Sequence, residues 1–408
     1  MYGTVRRHNL KGDSINSMIE KNIVTQEPKK VLRIFGWASF LNDFGSDIIF
    51  PLWPLFLTSV LGANMATLGF IDGLGDAIVA ISQAVSGYFA DKTGKRKIFV
   101  WIGYIFAGLS RIGYALSPTW HFIVPFRILD RSGKMRGAPR DAIIADISTD
   151  QNRGRNFGYL RMMDNLGAVC GVIFTIIFFK HLGYHKLFLI AAIPSLVAAF
   201  LVFSSIKEYL GSNRKVFKGI TFKDFHLNLK LYLILSALFA LSSFSYSFLL
   251  IYAQQFGFSV VAIPVLYLIY TMVASLVSLP FGKLADKINR KPVLIISFIF
   301  WLAVCVSLIY FHSHIAIVIA FILYGLHLGA IEPVQKALVS ELAVPELRAS
   351  TLGSFQMITG LCALPSSLIA GLLWDKINIT APFYLSALLT ILAIVLLLFL
   401  KEQKRVPV

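Results

Sequence analysis

Two stretches of this chain read alike: GYFADKTGKRK, from Gly87 to Lys97, and GKLADKINRKP, from Gly282 to Pro292. Gly87, Ala90, Asp91 and Lys92 meet Gly282, Ala285, Asp286 and Lys287 at an offset of 195, and Lys95 and Arg96 are answered by Arg290 and Lys291. The same offset brings Asp146 to Glu341, Arg153 to Arg348, Gly158 to Gly353 and Met162 to Met357. One offset shared by separated regions predicts a chain of two equivalent halves. Each copy is a short basic turn between long apolar runs, and those runs decide the solvent.

Of 408 residues, 57% are hydrophobic, only 14% are charged and 34 are Phe. Soluble domains of this size carry far more charge, so the composition points to lipid. The first thirty residues are polar and lack the early apolar core and small-residue cleavage site of a signal peptide, so 1–30 reads as a tail. Apolar segments of spanning length follow at about 32–60, 66–90, 98–117, 120–145, 156–179, 187–205, 230–255, 258–284, 292–310, 314–340, 349–374 and 380–400. The expected organisation is an all-α polytopic membrane protein of twelve transmembrane helices: a six-helix bundle over 31–205, a polar linker over 206–230, a second six-helix bundle over 231–400, and a tail over 401–408.

Twelve spans put both termini on one side, and the net charge of +17 says which. The tails and the loops on the termini side hold 26 Lys and Arg, whereas the opposite loops hold three, Lys180, Lys186 and Lys376. Positive loops stay inside, which predicts a multi-pass plasma membrane protein with cytoplasmic termini. Basic residues spread over every inner loop, without a basic groove interleaved with aromatics, argue against nucleic acid as a partner. Cys170, Cys305 and Cys362 all fall in apolar segments, so neither a disulfide framework nor a thiolate metal site is expected. No GxxxxGK[ST] loop and no HExxH pair occurs. An ATP-driven pump and an enzyme are therefore disfavoured, and no cofactor is expected beyond a proton or other ion gradient.

Parallel repeats of six spans are the build of alternating-access carriers. With its GYFADKTGKRK and degenerate GKLADKINRK copies, the chain resembles the major facilitator superfamily from about Val31 to Leu400. The resemblance implies two bundles rocking about a central site, with the signature turns latching their cytoplasmic ends together. It assigns Gly87, Asp91, Arg96, Gly282, Asp286 and Arg290 to that gate, with Asp146, Arg153, Glu341 and Arg348 as latch partners. Physically, the two glycines would permit close helix approach, and the aspartates could accept backbone N–H groups at the start of another helix. The competing reading is a topology signal with ordinary interfacial ion pairs. Proton antiporters of the family usually carry a Gly-Pro in the fifth span. Here Gly171 is followed by Val172, which leaves the direction of transport open, while Gly167 and Gly171 form a GxxxG face for close packing.

A charge at mid-bilayer costs at least about 2.5 to 3.5 kcal/mol, so ionisable residues within spans are functional candidates. The first half has many. Asp43 and Asp47 lie one turn apart on the first span, Asp72 and Asp76 one turn apart on the second, and Arg127, Asp130, Arg131, Lys134, Arg136, Arg140 and Asp141 crowd the fourth. At about 100° per residue, Arg127, Asp130, Arg131, Lys134 and Asp141 share one stripe, which should face a cavity, while Arg136 and Arg140 point away. Arg127 matches the family's cavity arginine, although the glycine expected four residues later is Arg131. An aspartate in such a place is drawn two ways, since loss of water favours its neutral form and a nearby arginine its charged form. That competition is the minimal chemistry of proton coupling, assigned here to Asp43, Asp47 and Asp76 against Arg127 and Arg131, with Asp130 and Lys134 in the same coupling and central-cavity set. Asp72, Arg111, Arg161 and Asp164 read instead as a charge network that fixes helix registry.

Pro51 and Pro54 predict a kink in the first span, and Trp53 reads as an interfacial belt residue or else as an aromatic wall of the cavity. In the second half, Tyr246, Gln254, His327, Glu332 and Gln356 are the candidates for a polar, aromatic substrate wall; a lone His327 reads first as a satisfied core histidine, and Glu332 with Lys336 has the spacing of an intrahelical ion pair. The expected partners are the lipid bilayer and a small organic solute, with a monomer as the working unit. Several Arg and Lys suit an organic anion or a metal-chelating metabolite, and the paired acids allow a cationic drug-like compound. The functional expectation is a proton-coupled secondary active transporter; the alternatives are an uncoupled facilitator and a transporter-like receptor without flux.

Overall fold

The computed structural model describes residues 27–149, 151–208, 227–343 and 348–400, and among them every regular element is helical. Nine helices among these residues are long and apolar enough to cross a membrane. One of the nine, Arg153–Ser205, is two spans turning at Gly183, whose φ of 67° is one that glycine adopts at little cost. The first and fourth spans, rich in charge and broken into shorter helices, bring the number to the twelve expected.

Proline and hydrogen-bond supply explain the irregular spans. The first runs as Pro28–Ile49, breaks at Phe50–Leu52 where Pro51 offers no N–H, and resumes as Trp53–Leu55 and a π-helical turn, Phe56–Val60. The fourth is Trp120–Ser132, a 3-10 turn Gly133–Arg136, and Gly137–Asp146. The second and third are Met65–Thr93 and Lys97–Leu116. The seventh opens between Leu227–Ser242 and Ser247–Gln255. Its freed backbone groups are met by serines: Ser366 Oγ and Ser386 Oγ donate to the Leu241 and Ser242 carbonyls at 3.0 and 2.6 Å, and Ser245 N–H donates to Ser367 Oγ at 3.2 Å. Irregular backbone at membrane depth survives only where neighbours satisfy it in this way. The remaining spans are Ile263–Ile288, Arg290–Tyr310, His314–Leu342, Arg348–Lys376 and Ala381–Phe399. The repeat survives in the backbone, since Gly94 and Asn289, related by the same offset, both have positive φ, 69° and 75°.

Two six-span bundles result, each a packed unit, meeting along the second span against the eleventh and the fifth against the eighth. Within the first bundle the GxxxG spacing does what it predicts: Gly167 and Gly171 admit the Phe40 and Phe44 carbonyls of the first span so closely that a methyl group would collide. A similar seam joins the bundles near the end remote from the termini. There Gly73 faces the Leu364 backbone, with room for a Cβ only 2.6 Å from its Cα, and Gly69 and Gly371 stand against backbone of the opposite bundle. Toward the termini the same helices separate. Among the described residues, a Cβ on Gly87 would meet only Ala138 Cβ, at 3.6 Å, and one on Gly282 would meet no neighbouring atom within 4 Å. The close approach expected at these two glycines is therefore absent from this conformation, because the bundles are sealed at the far end and splayed at the termini end.

Candidate functional site

A cavity of about 330 Å³ lies between the bundles where the first, second and fourth spans face the opened seventh, with Tyr267 and Tyr324 from the eighth and tenth. Asp72, on the second span and only 2% exposed, organises it. Its Oδ1 accepts from Trp53 Nε1 and from Arg127 Nη2, both at 2.8 Å. Its Oδ2 accepts from Ser245 Oγ at 2.7 Å and Ser247 Oγ at 2.5 Å, across the bundle interface. The Arg127 guanidinium also lies 4.3 Å over the Trp53 ring. A buried ion pair is tolerated when its remaining hydrogen-bonding capacity is met, and Asp72 has no oxygen to spare.

Arg131, one turn further, is held differently. Its guanidinium sits 5.3 Å over the Phe50 ring, and its ion-pair partner Asp130 is a long 3.8 Å away. The Nε atoms of Arg127 and Arg131 are buried without an acceptor among the described residues. Both lie against Gly75, where a Cβ would stand 3.0 Å from Arg127 Nε and 3.2 Å from Arg131 Cγ. Asp76 lines the same cavity one turn below Asp72 and is open to it. The site thus holds one close acid–base pair whose acid is saturated, Asp72 with Arg127, and one loosely engaged pair, Arg131 with Asp130, under a roof of Phe50, Phe244, Tyr246, Tyr267 and Tyr324.

The other expected residues divide. Asp47 is buried and accepts from Tyr267 Oη at 2.9 Å, a second link across the bundles, and Tyr246 Oη donates to the Phe50 carbonyl at 3.2 Å, a third. Asp43 faces elsewhere, accepting from Asn42 Nδ2 at 2.9 Å within a charge cluster that includes Asp164 and Arg140. The single stripe expected along the fourth span is not formed, because the 3-10 turn resets the helix phase. Arg127 and Arg131 reach the cavity, Asp130 accepts from Ser110 Oγ on the third span at 3.4 Å, Lys134 falls on the turn itself, and Asp141 pairs with Arg140 at 3.1 Å. The turn exists because Gly133 and Gly103 bring backbone against backbone, 2.6 Å from a would-be Cβ to the Gly103 carbonyl.

Among the wall candidates, only Tyr246 lines the cavity. His327 is buried in an aromatic box with Phe239 and Trp301, ring centroids 5.6 Å from each, and its Nδ1 lies 2.9 Å from Ser297 Oγ. It is a satisfied core residue rather than part of the wall. Gln254 lies in the last turn of the helix beyond Tyr246, and Glu332 and Gln356 are exposed and not among the residues that line the cavity. Among the described residues Glu332 and Lys336, both exposed, form no ion pair with one another. The registry reading holds for Arg111, whose guanidinium donates to the Ala191 carbonyl and to Ser195 Oγ and Ser46 Oγ, at 2.8, 2.5 and 2.7 Å, tying three spans of the first bundle. Asp72 forms a buried network that ties the second span to the fourth and seventh and also lines the cavity, and Trp53 is a fully buried partner of that acid instead of a belt residue.

At the termini end, Arg96 pairs with Asp146, and Arg290 pairs with Asp286 at 2.7 Å and Glu341 at 3.2 Å. These bonds lie within a bundle, in a conformation whose termini ends are splayed. A carboxylate does cap the third span, but it is Glu208, accepting from the Arg96 and Lys97 N–H groups at 2.8 and 3.0 Å. Arg153 opens the fifth span. The side chains of Asp91 and Arg348 lie outside the described residues, as do the tails and the middle of the linker.

A family model described as Major Facilitator Superfamily matches residues 35–274 and 231–408. The uncharacterized MFS-type transporter MJ1317 of Methanocaldococcus jannaschii is 38% identical over 92% of this chain and 96% of its own length. Quinolone resistance protein NorA of Staphylococcus aureus is 24% identical over 92% of this chain and 97% of its own. Among solved structures, the nucleoside transporter NupG superposes with a TM-score of 0.75 at 16% identity, over 90% of this chain and 97% of that one. The human organic anion transporter MFSD10 does so with a TM-score of 0.66 at 16% identity, over 91% and 100%. At that identity the structures speak for the fold alone.

Proposed function

The chain belongs to the Major Facilitator Superfamily, a multi-pass membrane transporter and not an enzyme, and on that premise we propose that it couples protons to the movement of a small organic anion by alternating access. The observation that carries the reading is the contrast between Asp72, whose two oxygens each accept two hydrogen bonds, and Asp76, which lines the same cavity without such bonds among the described residues. Asp72 and Arg127 neutralise one another, so they set the site's shape. Arg131 and Asp76 face the cavity with spare capacity. An anionic group binding Arg131 competes with Asp76, and protonating Asp76 removes the competitor and its repulsion. Substrate and proton are then linked at one residue pair, and the aromatic roof supplies contact for an organic body. Asp47 extends the linkage to the interface through Tyr267.

The excess of basic residues on the termini side supports cytoplasmic tails in the plasma membrane. The splayed end then opens inward. We take the monomer as the working unit and an ion gradient as the only energy source. A second reading, export of a drug-like compound, is favoured by relatives named as quinolone and multidrug resistance proteins.

Transport in proteoliposomes under an imposed pH gradient tests this. Asp76→Asn should abolish gradient-driven accumulation, by tenfold or more, while leaving exchange of substrate at equal concentrations. Wild-type flux indifferent to the gradient would establish a facilitator, and binding without flux a receptor. If Asp43→Asn and Asp47→Asn both leave gradient-driven flux unchanged, neither takes part in coupling.

A further inference from the structure

Beside the first span, on the outer face of the bundle, lies a groove of about 770 Å³ that is separate from the central cavity. Its chemistry changes in order along one helix. Lys29 and Lys30 stand in the first turn, Arg33 one turn on, Trp37 a further turn and Leu41 a turn beyond, with Leu201 of the sixth span as the opposite wall. These positions recur at three- and four-residue intervals and so fall on one face, covering about 18 Å of helix. Among the described residues none of the three cations is paired with a carboxylate. Glu27 at the mouth leaves an excess of positive charge. Trp37 is 53% exposed, held edge-on by Phe40 at 5.5 Å, where an aromatic ring marks the water–hydrocarbon boundary.

We propose that this groove is a binding site for an anionic phospholipid, with the phosphate on Lys29, Lys30 and Arg33, the glycerol region at Trp37 and an acyl chain along Leu41 and Leu201. The sequence cation, aromatic, aliphatic matches the sequence phosphate, ester, hydrocarbon, and in the right axial direction. Charge complementarity selects the headgroup, because each basic residue near an anionic membrane surface strengthens attraction about fivefold. The site neither depends on the transport reading nor shares a residue with the central cavity.

The test uses the full chain in detergent, with native mass spectrometry and thermal unfolding in the presence of phosphatidylglycerol or phosphatidylcholine. The wild type should retain phosphatidylglycerol and be stabilised by it in preference to phosphatidylcholine. Lys29→Gln/Lys30→Gln/Arg33→Gln should weaken that preference at least tenfold. Because those cations also serve topology, Trp37→Ala, with all charges kept, should lower retention of either lipid while the protein still inserts. Lys29→Arg/Lys30→Arg should behave as wild type. Equal retention of both lipids by the wild type, as when another part of the chain or a second copy fills the groove, would overturn the proposal. Unchanged selectivity in the triple variant would do the same, and stabilisation by inorganic phosphate alone would show a free-anion site instead.

Discussion

Asp72 and Asp76 show what a single sequence conceals at the residue scale. Their one-turn spacing is plain, and it places both on one face of the second span. Which of them is locked and which is free depends on Trp53, Arg127, Ser245 and Ser247, from 19 to 175 residues away in the chain. No spacing rule reaches that far, so Asp72 read as registry with no sign that its network lines the cavity. Arg111 was legible because its surroundings on the third span are apolar and small, which leaves a long side chain the backbone, hydroxyl and amide acceptors of neighbouring spans. The locked pair makes a sharp prediction. Removing one partner of a buried ion pair costs about 3 to 5 kcal/mol, because the other is left uncompensated. Asp72→Asn should therefore lower the thermal stability of the purified protein markedly, and Asp72→Asn with Arg127→Met should recover much of the loss. Additive losses in that double-mutant cycle would mean that the pair is not the unit.

Elements were legible wherever apolar length decides, and the predicted span boundaries agree with the helices to within a few residues. Breaks were legible where proline causes them, as at Pro51, and not where side chains of other spans do, as at Ser243–Tyr246, whose carbonyl and N–H partners come from the eleventh and twelfth helices. The far-end closure belongs to the same hidden class. Asp375, at the end of the eleventh span, accepts from the Met65 and Ala66 N–H groups at 3.2 and 2.8 Å, so a carboxylate of one bundle caps a helix of the other. Its position beside Lys376 gave no sign of this. A charge at a helix N-terminus is worth about 0.3 to 1 kcal/mol, and up to about 2 when partly buried. Asp375→Asn should consequently shift the conformational equilibrium toward far-end opening, by about two- to thirtyfold. Distances between spin labels on the far ends of the second and eleventh spans measure the shift. Asp146→Asn, on the other end and within one bundle, should leave those distances alone.

At the scale of the whole molecule, the repeat that predicted two bundles also predicts their second arrangement. Gly87 and Gly282 are one repeat-related pair, on the second and eighth spans, and Gly158 and Gly353 are another, on the fifth and eleventh. These four spans form the contact between bundles. On their far halves Gly69, Gly73 and Gly371 are packed against backbone, where a Cβ would collide. On their termini halves, among the described residues, Gly158, Gly282 and Gly353 have no neighbouring atom within 4 Å of a would-be Cβ, and Gly87 has one at 3.6 Å. A chain that repeats glycine in places where any residue would fit has no use for it in this conformation. Closing the termini end brings these four positions together and gives the glycines the close approach that the far seam now shows. Substitution should therefore act on one state only. Gly282→Val and Gly353→Val should leave the thermal stability of the termini-open state within about 0.5 kcal/mol, as surface changes do, yet reduce flux at least tenfold by excluding the closed state. Cysteines placed across the termini ends of the second and eleventh spans should cross-link in the parent protein during turnover and fail to do so in the valine variants. Cross-linking at the parental rate in Gly282→Val and Gly353→Val would mean that closure does not pass through these surfaces.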